Sequence, residues 1–250
     1  MTRRRWIADE VSGNRASLIG SHAEHLARVL RARKGQEFDI VADGVVRRGR
    51  ISNVESGRVE FELGEDVPPA PASSNVSVIL SVFKFDRMEW AIEKCTELGV
   101  ARIIPLLAQR TERHLAAAAR KRVERWRRIV REASEQSRRG SPPEVGAPLE
   151  LKDALSMTGN LRIVLDESEP QYMLKDALAE HAAGTEVLLA LGPEGGWTQS
   201  ELGDFHAAGW TSASLGSAVL RAETAAIAAL AIALAQLESG GPRENPPQHS

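Results

Sequence analysis

The hydrophobic positions of this chain fall into short apolar runs separated by stretches of helical spacing. The runs 76–82, 100–107, 161–165 and 187–191 have the length and β-branched content of buried strands. Between them Met88, Ala91, Ile92, Cys95 and Leu98 recur three and four residues apart, and so do Val123, Trp126, Val130 and Ala133. These spacings predict two helices. The first is opened by Asp86 with Glu89 and closed by Gly99; the second is a long one over 118–137. Residues 171–182, a segment opened by Thr198 with Glu201, and 223–237 read as further helices, and 213–215 ends a short strand. Strand and helix alternate, which predicts an α/β fold: a mostly parallel sheet with helices on both faces.

Ahead of this region the pattern differs. Ser21 with Glu24 signals a helix over 21–31, with Leu26, Val29 and Leu30 as its apolar stripe. Short strands follow at 38–41, 45–51 and 58–63, and Asp43-Gly44 between the first two is a hairpin signal. Pro68-Pro69-Ala70-Pro71-Ala72-Ser73-Ser74 reads as a linker. The expected organisation is a small β-rich domain at 1–70, an α/β domain at 75–238 and a disordered tail at 239–250.

At 42% hydrophobic and 26% charged, the composition is that of an ordinary globular protein. The formal net charge of −2 hides an asymmetry. Residues 1–50 carry eleven Lys/Arg against six Asp/Glu, and residues 110–139 carry eleven against four. Two basic regions suggest a polyanion held at two places. Candidate contacts are Arg28, Arg31 and Arg33 in front, and Arg127, Arg128, Arg131, Arg138 and Arg139 on and just beyond the long helix. The single cysteine, Cys95, excludes an intrachain disulfide and fits a reducing cytoplasm. The first residues lack the apolar stretch of a signal peptide. The longest apolar run, 225–235, is too short to span a bilayer, so no membrane partner is expected.

The chemistry concentrates in 187–224. Two glycine-bearing loops, Gly192-Pro193-Glu194-Gly195-Gly196 and Leu215-Gly216-Ser217-Ala218-Val219-Leu220-Arg221, each follow an apolar run and precede a helical pattern. In open α/β sheets small ligands bind outside the carboxyl ends of parallel strands, and glycine lets the backbone approach them closely. The spacing is not G-x-G-x-x-G, and no Walker loop, G-x-S-x-G elbow or H-E-x-x-H is present. His22 and His25 have no Cys or carboxylate cluster to complete a metal site, so no metal is expected.

Four segments carry a family resemblance. The runs Leu191-Gly192-Pro193-Glu194-Gly195-Gly196-Trp197-Thr198, Val219-Leu220-Arg221-Ala222-Glu223-Thr224, Glu93-Lys94-Cys95-Thr96-Glu97-Leu98-Gly99-Val100 and Glu132-Ala133-Ser134-Glu135-Gln136-Ser137 resemble motifs of the RsmE-type 16S rRNA uridine-N3 methyltransferases. In front, His25-Leu26 with Val29-Leu30-Arg31 is similar to that family's H-L-x-x-V-L-R element. One departure is visible: Ser217-Ala218 stands where the family usually has Pro-Arg. The resemblance implies a PUA-like RNA-binding front domain and a SPOUT (α/β-knot) methyltransferase domain with a C-terminal trefoil knot. It also implies a cytoplasmic homodimer that uses S-adenosylmethionine to methylate 16S rRNA of the small ribosomal subunit, with no DNA partner. By the same resemblance Leu165, Leu191, Gly192, Pro193, Glu194, Gly195, Gly196, Leu215, Gly216, Ser217, Val219, Leu220 and Thr224 are expected to hold the cofactor. Arg221 is expected to stabilise charge on the uracil, and either Glu223 or Glu194 to accept its N3 proton.

Overall fold

A computed structural model describes residues 5–67, 74–169, 171–182 and 184–239. The proline-rich stretch at 68–73 and the expected tail beyond Ser239 lie outside the described residues. The chain divides into two compact units, one made of 1–72 with 130–142 and the other of 73–129 with 143–250.

The first unit contains strands β1 (Arg5–Ile7), β2 (Glu10–Ser12), β3 (Arg15–Ile19), β4 (Glu37–Ala42), β5 (Val45–Glu55) and β6 (Arg58–Asp66). They form one sheet in the order β1-β4-β5-β6-β3-β2. Only the β1–β4 pair is parallel. The Asp43-Gly44 turn behaves as its sequence predicts. Both residues have positive φ, 51° and 78°, and Ala42 pairs with Val45 across the hairpin. Trp6, Leu18, Leu26, Ile40, Ile51 and Phe61 make the core. Strands β1 to β3 were not legible, because two of them are only three residues long.

The helix expected at 21–31 is much shorter. An α-helical turn, α1 (Ser21–Glu24), passes into a π-helical turn at His25–Val29. Ser21 does not cap it; Gly20 occupies the cap position with φ 61° and no side-chain hydrogen bond is made there. The chain leaves through Arg31 at φ 50°. Leu26 is buried as expected, whereas Val29 and Leu30 are 64% and 48% exposed.

In the second unit the strands are β7 (Val76–Ser81), β8 (Arg102–Leu107), β9 (Glu144–Val145), β10 (Leu149–Glu150), β11 (Leu161–Leu165), β12 (Val187–Leu191) and β13 (Thr211–Ala213). All their pairings are parallel, in the order β10-β8-β7-β12-β11-β13 with β9 also on β8. Every residue of β7 and β12 is buried, which explains why β12 is apolar throughout and β7 is interrupted only by the small Ser77 and Ser81. The helices are α2 (Phe85–Leu98), α3 (Arg113–Ser137, which continues into the first unit from Val130), α4 (Leu151–Leu155), α5 (Leu174–Ala179), α6 (Gln199–Ala207) and α7 (Ala222–Ser239).

Gly99, at φ 109°, ends α2 by donating to the Cys95 and Thr96 carbonyls. Glu89 does not serve the start of α2, which has no side-chain cap; it accepts from Arg122 and Arg125 of α3 instead. The helix expected at 171–182 shrinks to α5. The Glu169 carboxylate takes the Gln171 and Tyr172 amides, and Met173 bridges to Ser214, so regular helix starts only at Leu174. Trp197, Leu202, Phe205 and Trp210 cover one side of the sheet against Ile79, Leu188 and Ala190. The alanine-rich α7 packs on α2, α5, β7 and β12.

Candidate active site

Segments that leave the carboxyl ends of five parallel strands surround a cavity of about 560 Å³, within the range of small-molecule sites. After β7 come Lys84 and Arg87, and after β8 comes Arg110. The ends of β11 and β12 supply Leu165 to Ser168 and Leu191 to Glu194. Beyond β13 lie Ala213 to Gly216 and Ala218 to Ala222. Crossovers diverge here, since β7 is flanked by β8 on one side and β12 on the other, and such a switch point opens a crevice.

Side chains from other elements build the first glycine loop. Arg110 donates to the Gly195 carbonyl at 2.6 Å and to the Trp197 carbonyl at 3.1 Å. The Trp197 indole donates to the Leu165 carbonyl at 3.0 Å, tying the loop to the end of β11. A Cβ on Gly192 would sit 3.3 Å from the Trp197 ring nitrogen. Gly196 has φ 67°, and a Cβ there would sit 3.2 Å from Glu167 Oε1. Glycine at 196 suits the backbone conformation, and at 192 a Cβ would make a tight contact with the Trp197 ring. Beyond the loop, Thr198 caps α6 in a complete capping box. Glu201 Oε2 accepts from the Thr198 amide at 2.8 Å, and its Oε1 accepts from the Gln109 amide at 2.8 Å.

Charge is distributed unevenly around the cavity. Arg87 Nη1 donates to Glu194 Oε1 at 2.9 Å, and its Nε lies 3.9 Å from Glu223 Oε1. Glu223 is 6% exposed, and its Oε2 has no hydrogen-bond partner among the described residues. Asp166 turns back on its own loop, accepting from the Ser168 amide and hydroxyl. Lys84 and Arg221 are exposed cations at the rim with no ion pair among the described residues.

Of the cofactor positions expected from sequence, Leu165, Leu191, Gly192, Pro193, Glu194, Gly196, Leu215, Gly216, Val219 and Leu220 line this cavity. Gly195, Ser217 and Thr224 do not: all three are exposed, and Gly195 contributes its carbonyl to Arg110 instead. Arg221 and Glu194 line the cavity and Glu223 stands behind Arg87. Sequence reasoning missed Lys84, Arg87, Arg110 and Glu167. A sequence signal did exist for Lys84, which stands just past the apolar run 76–82. Cys95 is core, its thiol pushed up to about 12 by burial. No cluster of potential metal ligands occurs among the described residues.

The arginines expected to meet a polyanion separate into two groups. Arg28, Arg31, Arg33 and Arg128 are exposed, and their guanidinium groups have no partner among the described residues. Arg127 pairs with Glu124 and reaches the Val145 carbonyl. Within the first unit, Arg131 is held by Asp9 at 2.9 Å and donates to the Ile7 carbonyl. Arg138, at φ 61°, receives Arg5 on its carbonyl. Arg139 is half-buried, and burial lowers its pKa.

Comparison with known proteins adds an independent line. An RNA methyltransferase domain family model matches residues 70–234. The ribosomal RNA small subunit methyltransferase E of Synechocystis is 37% identical over 230 residues, covering 89% of this chain and 74% of its own. That of Mycobacterium tuberculosis is 32% identical over 228 residues, covering 88% and 86%. The crystal structure of the Neisseria gonorrhoeae enzyme of that name, bound to S-adenosyl methionine, superposes with a TM-score of 0.82. It is 29% identical, with 92% of this chain and 96% of that chain covered.

Proposed function

From the premise that this chain belongs to the ribosomal RNA small subunit methyltransferase E family, we propose that it uses S-adenosylmethionine to methylate N3 of a uridine in 16S rRNA. The observation that carries the reading is the cavity itself. The two glycine loops form much of its wall, and it stands where parallel strands end. The lining suits the cofactor. Leu165, Leu191, Leu215 and Leu220 offer apolar surface, and the bare backbone at Gly192 and Gly196 leaves room for close approach. Asp166, Glu167 and Glu194 supply carboxylates for hydroxyl and cationic groups.

When bound, the cofactor supplies an electrophilic methyl on a sulfonium. The chain's own part is to orient the base, stabilise charge and hold a proton. Arg221, a rim cation with no ion pair among the described residues, is placed to stabilise negative charge developing on the uracil. Glu194 is the better-supported acceptor of the N3 proton, because its carboxylate lines the cavity while that of Glu223 is buried behind Arg87.

Other parts of the reading have their own support. Strand β12 runs between β7 and β11, β13 lies outside β11, and α7 returns over β7 and β12, which supports a C-terminal trefoil knot of the SPOUT type. The six-stranded mixed sheet in front supports a PUA-like domain. Half-buried Ile227, Ala228, Ala231 and Ile232 on α7 support a homodimer face. The exposed arginines Arg28, Arg31, Arg33 and Arg128 are the better candidates for gripping rRNA phosphates; Arg127, Arg131, Arg138 and Arg139 hold structure as well. A cytoplasmic location follows from the rRNA substrate, and no described helix is long and apolar enough to cross a membrane.

The test is methyl transfer from labelled S-adenosylmethionine to small subunits lacking the modification, with nucleoside analysis of the product. 3-Methyluridine is expected. Arg221→Ala should lower turnover by about 100-fold with cofactor affinity kept. A different methylated nucleoside would overturn the target assignment, and an unchanged rate in the variant would remove Arg221 from the chemistry.

A further inference from the structure

Among the described residues, Arg87 is the side chain that reaches both carboxylates considered above. It belongs to the first turn of α2, Glu194 to the loop after β12, and Glu223 to the first turn of α7. Its Nη1 hydrogen bond to Glu194 is 2.9 Å long and its Nε lies 3.9 Å from Glu223. The two carboxylates differ in surroundings. The Glu194 side chain is 29% exposed, whereas that of Glu223 is 7% exposed and has one oxygen without a hydrogen-bond partner among the described residues. A buried carboxylate needs a cation near it, and Arg87 supplies one. A guanidinium presents several donors in a rigid plane, so it can meet one carboxylate through a terminal nitrogen and face another through Nε.

The pairing sets geometry as well as charge. The loop at 192–196 is anchored on one side by Arg110, through the Gly195 and Trp197 carbonyls. On the other side its Glu194 is anchored by Arg87. Of this loop, Gly192, Pro193, Glu194 and Gly196 line the cavity. Glu223 fixes Arg87 in turn, so the start of α7, next to Arg221, is coupled to the loop through a single side chain.

We propose that Arg87 is a positioning residue of the methyltransferase site: through Glu194 and Glu223 it holds the 192–196 loop and the start of α7 in the arrangement that binds S-adenosylmethionine. This rests on the cofactor reading given above. It differs from a plain stabilising ion pair, because Arg87 acts on cofactor binding through the two carboxylates, and its hold on the loop passes through Glu194.

The experiment is calorimetric titration of S-adenosylmethionine into the full-length parent, Arg87→Met, Arg87→Lys, Glu194→Ala and the Arg87→Met/Glu194→Ala double variant, with thermal melts alongside. Arg87→Met should weaken binding about tenfold, the scale of one charge-assisted hydrogen bond. Glu194→Ala, which leaves both helices intact, should weaken it by a similar factor. The double variant should bind no more weakly than the poorer single one. Arg87→Lys should recover part of the affinity, since a point charge can serve one carboxylate but not fork between two. Parent-like binding in Arg87→Met or in Glu194→Ala overturns the proposal, as do losses that simply multiply in the double variant. A parent protein that does not bind S-adenosylmethionine overturns the cofactor reading itself, and a parent that binds while the variants bind equally well overturns only the role of Arg87.

Discussion

At Gly196 the backbone sits at φ 67°, where an L side chain is strained, and a Cβ would press on Glu167 Oε1 at 3.2 Å. Gly196→Ala should therefore cost about 1–2 kcal/mol of stability. It should weaken S-adenosylmethionine binding by more than that destabilisation alone accounts for, which denaturant titration and calorimetry on the same variant will separate. Cys95 offers a second test at this scale. Burial pushes its thiol from the ordinary 9.0 up to about 12. The unfolded chain thus loses this proton at lower pH than the folded one does. Stability from Cys95 is full below pH 9 and falls as pH rises from there toward 12, by at most about 1.4 kcal/mol per pH unit. Cys95→Ala should flatten this part of the curve, and a parent and variant with parallel stability–pH profiles would contradict it. Both glycine loops were legible as sequence because their composition exceeds what a turn needs. The partners Arg87 and Arg110 were not, since nothing local ties an arginine to a loop that comes much later in the chain.

Among elements, the same local signal had three different fates. Thr198 with Glu201 forms a complete capping box. Ser21 with Glu24 does not, because Gly20 takes the cap position and the helix gives way to a π-turn after Glu24. Asp86 with Glu89 marks the start of α2 to within a residue but makes no cap, because Arg122 and Arg125 from α3 claim the Glu89 carboxylate. A capping signature reports what a segment can do alone, and tertiary partners decide whether it does so. Thr198→Ala should cost about 1 kcal/mol by loss of the cap. Glu201→Ala should cost more, about 3 kcal/mol, because it strips partners from the Thr198 and Gln109 amides at a fully buried position. Chemical denaturation of the two variants will give the order, and equal losses would show that the hydrogen bond from Gln109 adds nothing.

For the molecule as a whole, the two basic stretches of the sequence do not act as uniform charged faces. Most arginines of the long helix are engaged by carboxylates or carbonyls, while Arg28, Arg31 and Arg33 stand beside the exposed Val29 and Leu30, and their guanidinium groups have no partner among the described residues. Changing those three to Ala should lower RNA affinity and reduce the slope of log K against log salt by about 0.7–0.9 for each phosphate that is no longer neutralised. Filter binding across a salt series reads both. An unchanged slope would return the three arginines to a solvated surface. The first unit also takes in 130–142, a segment that the linker at 68–74 gave no reason to assign there.

Apolar periodicity determined the parallel α/β character and the strands β11 and β12 to the residue, and the Asp86 and Gly99 signals marked the ends of α2 to within one residue. Glycine content determined where a ligand site would be, and the motif order pointed to the family. These properties are local: hydrophobic spacing, backbone permissiveness and turn chemistry act over a few residues. Only the tertiary structure decided that β12 lies between β7 and β11, that Arg87 joins Glu194 to Glu223, and that the end of α3 belongs with the front sheet. Each of those depends on which distant segments pack together, and burial energy rewards apolar surface without regard to its place in the chain.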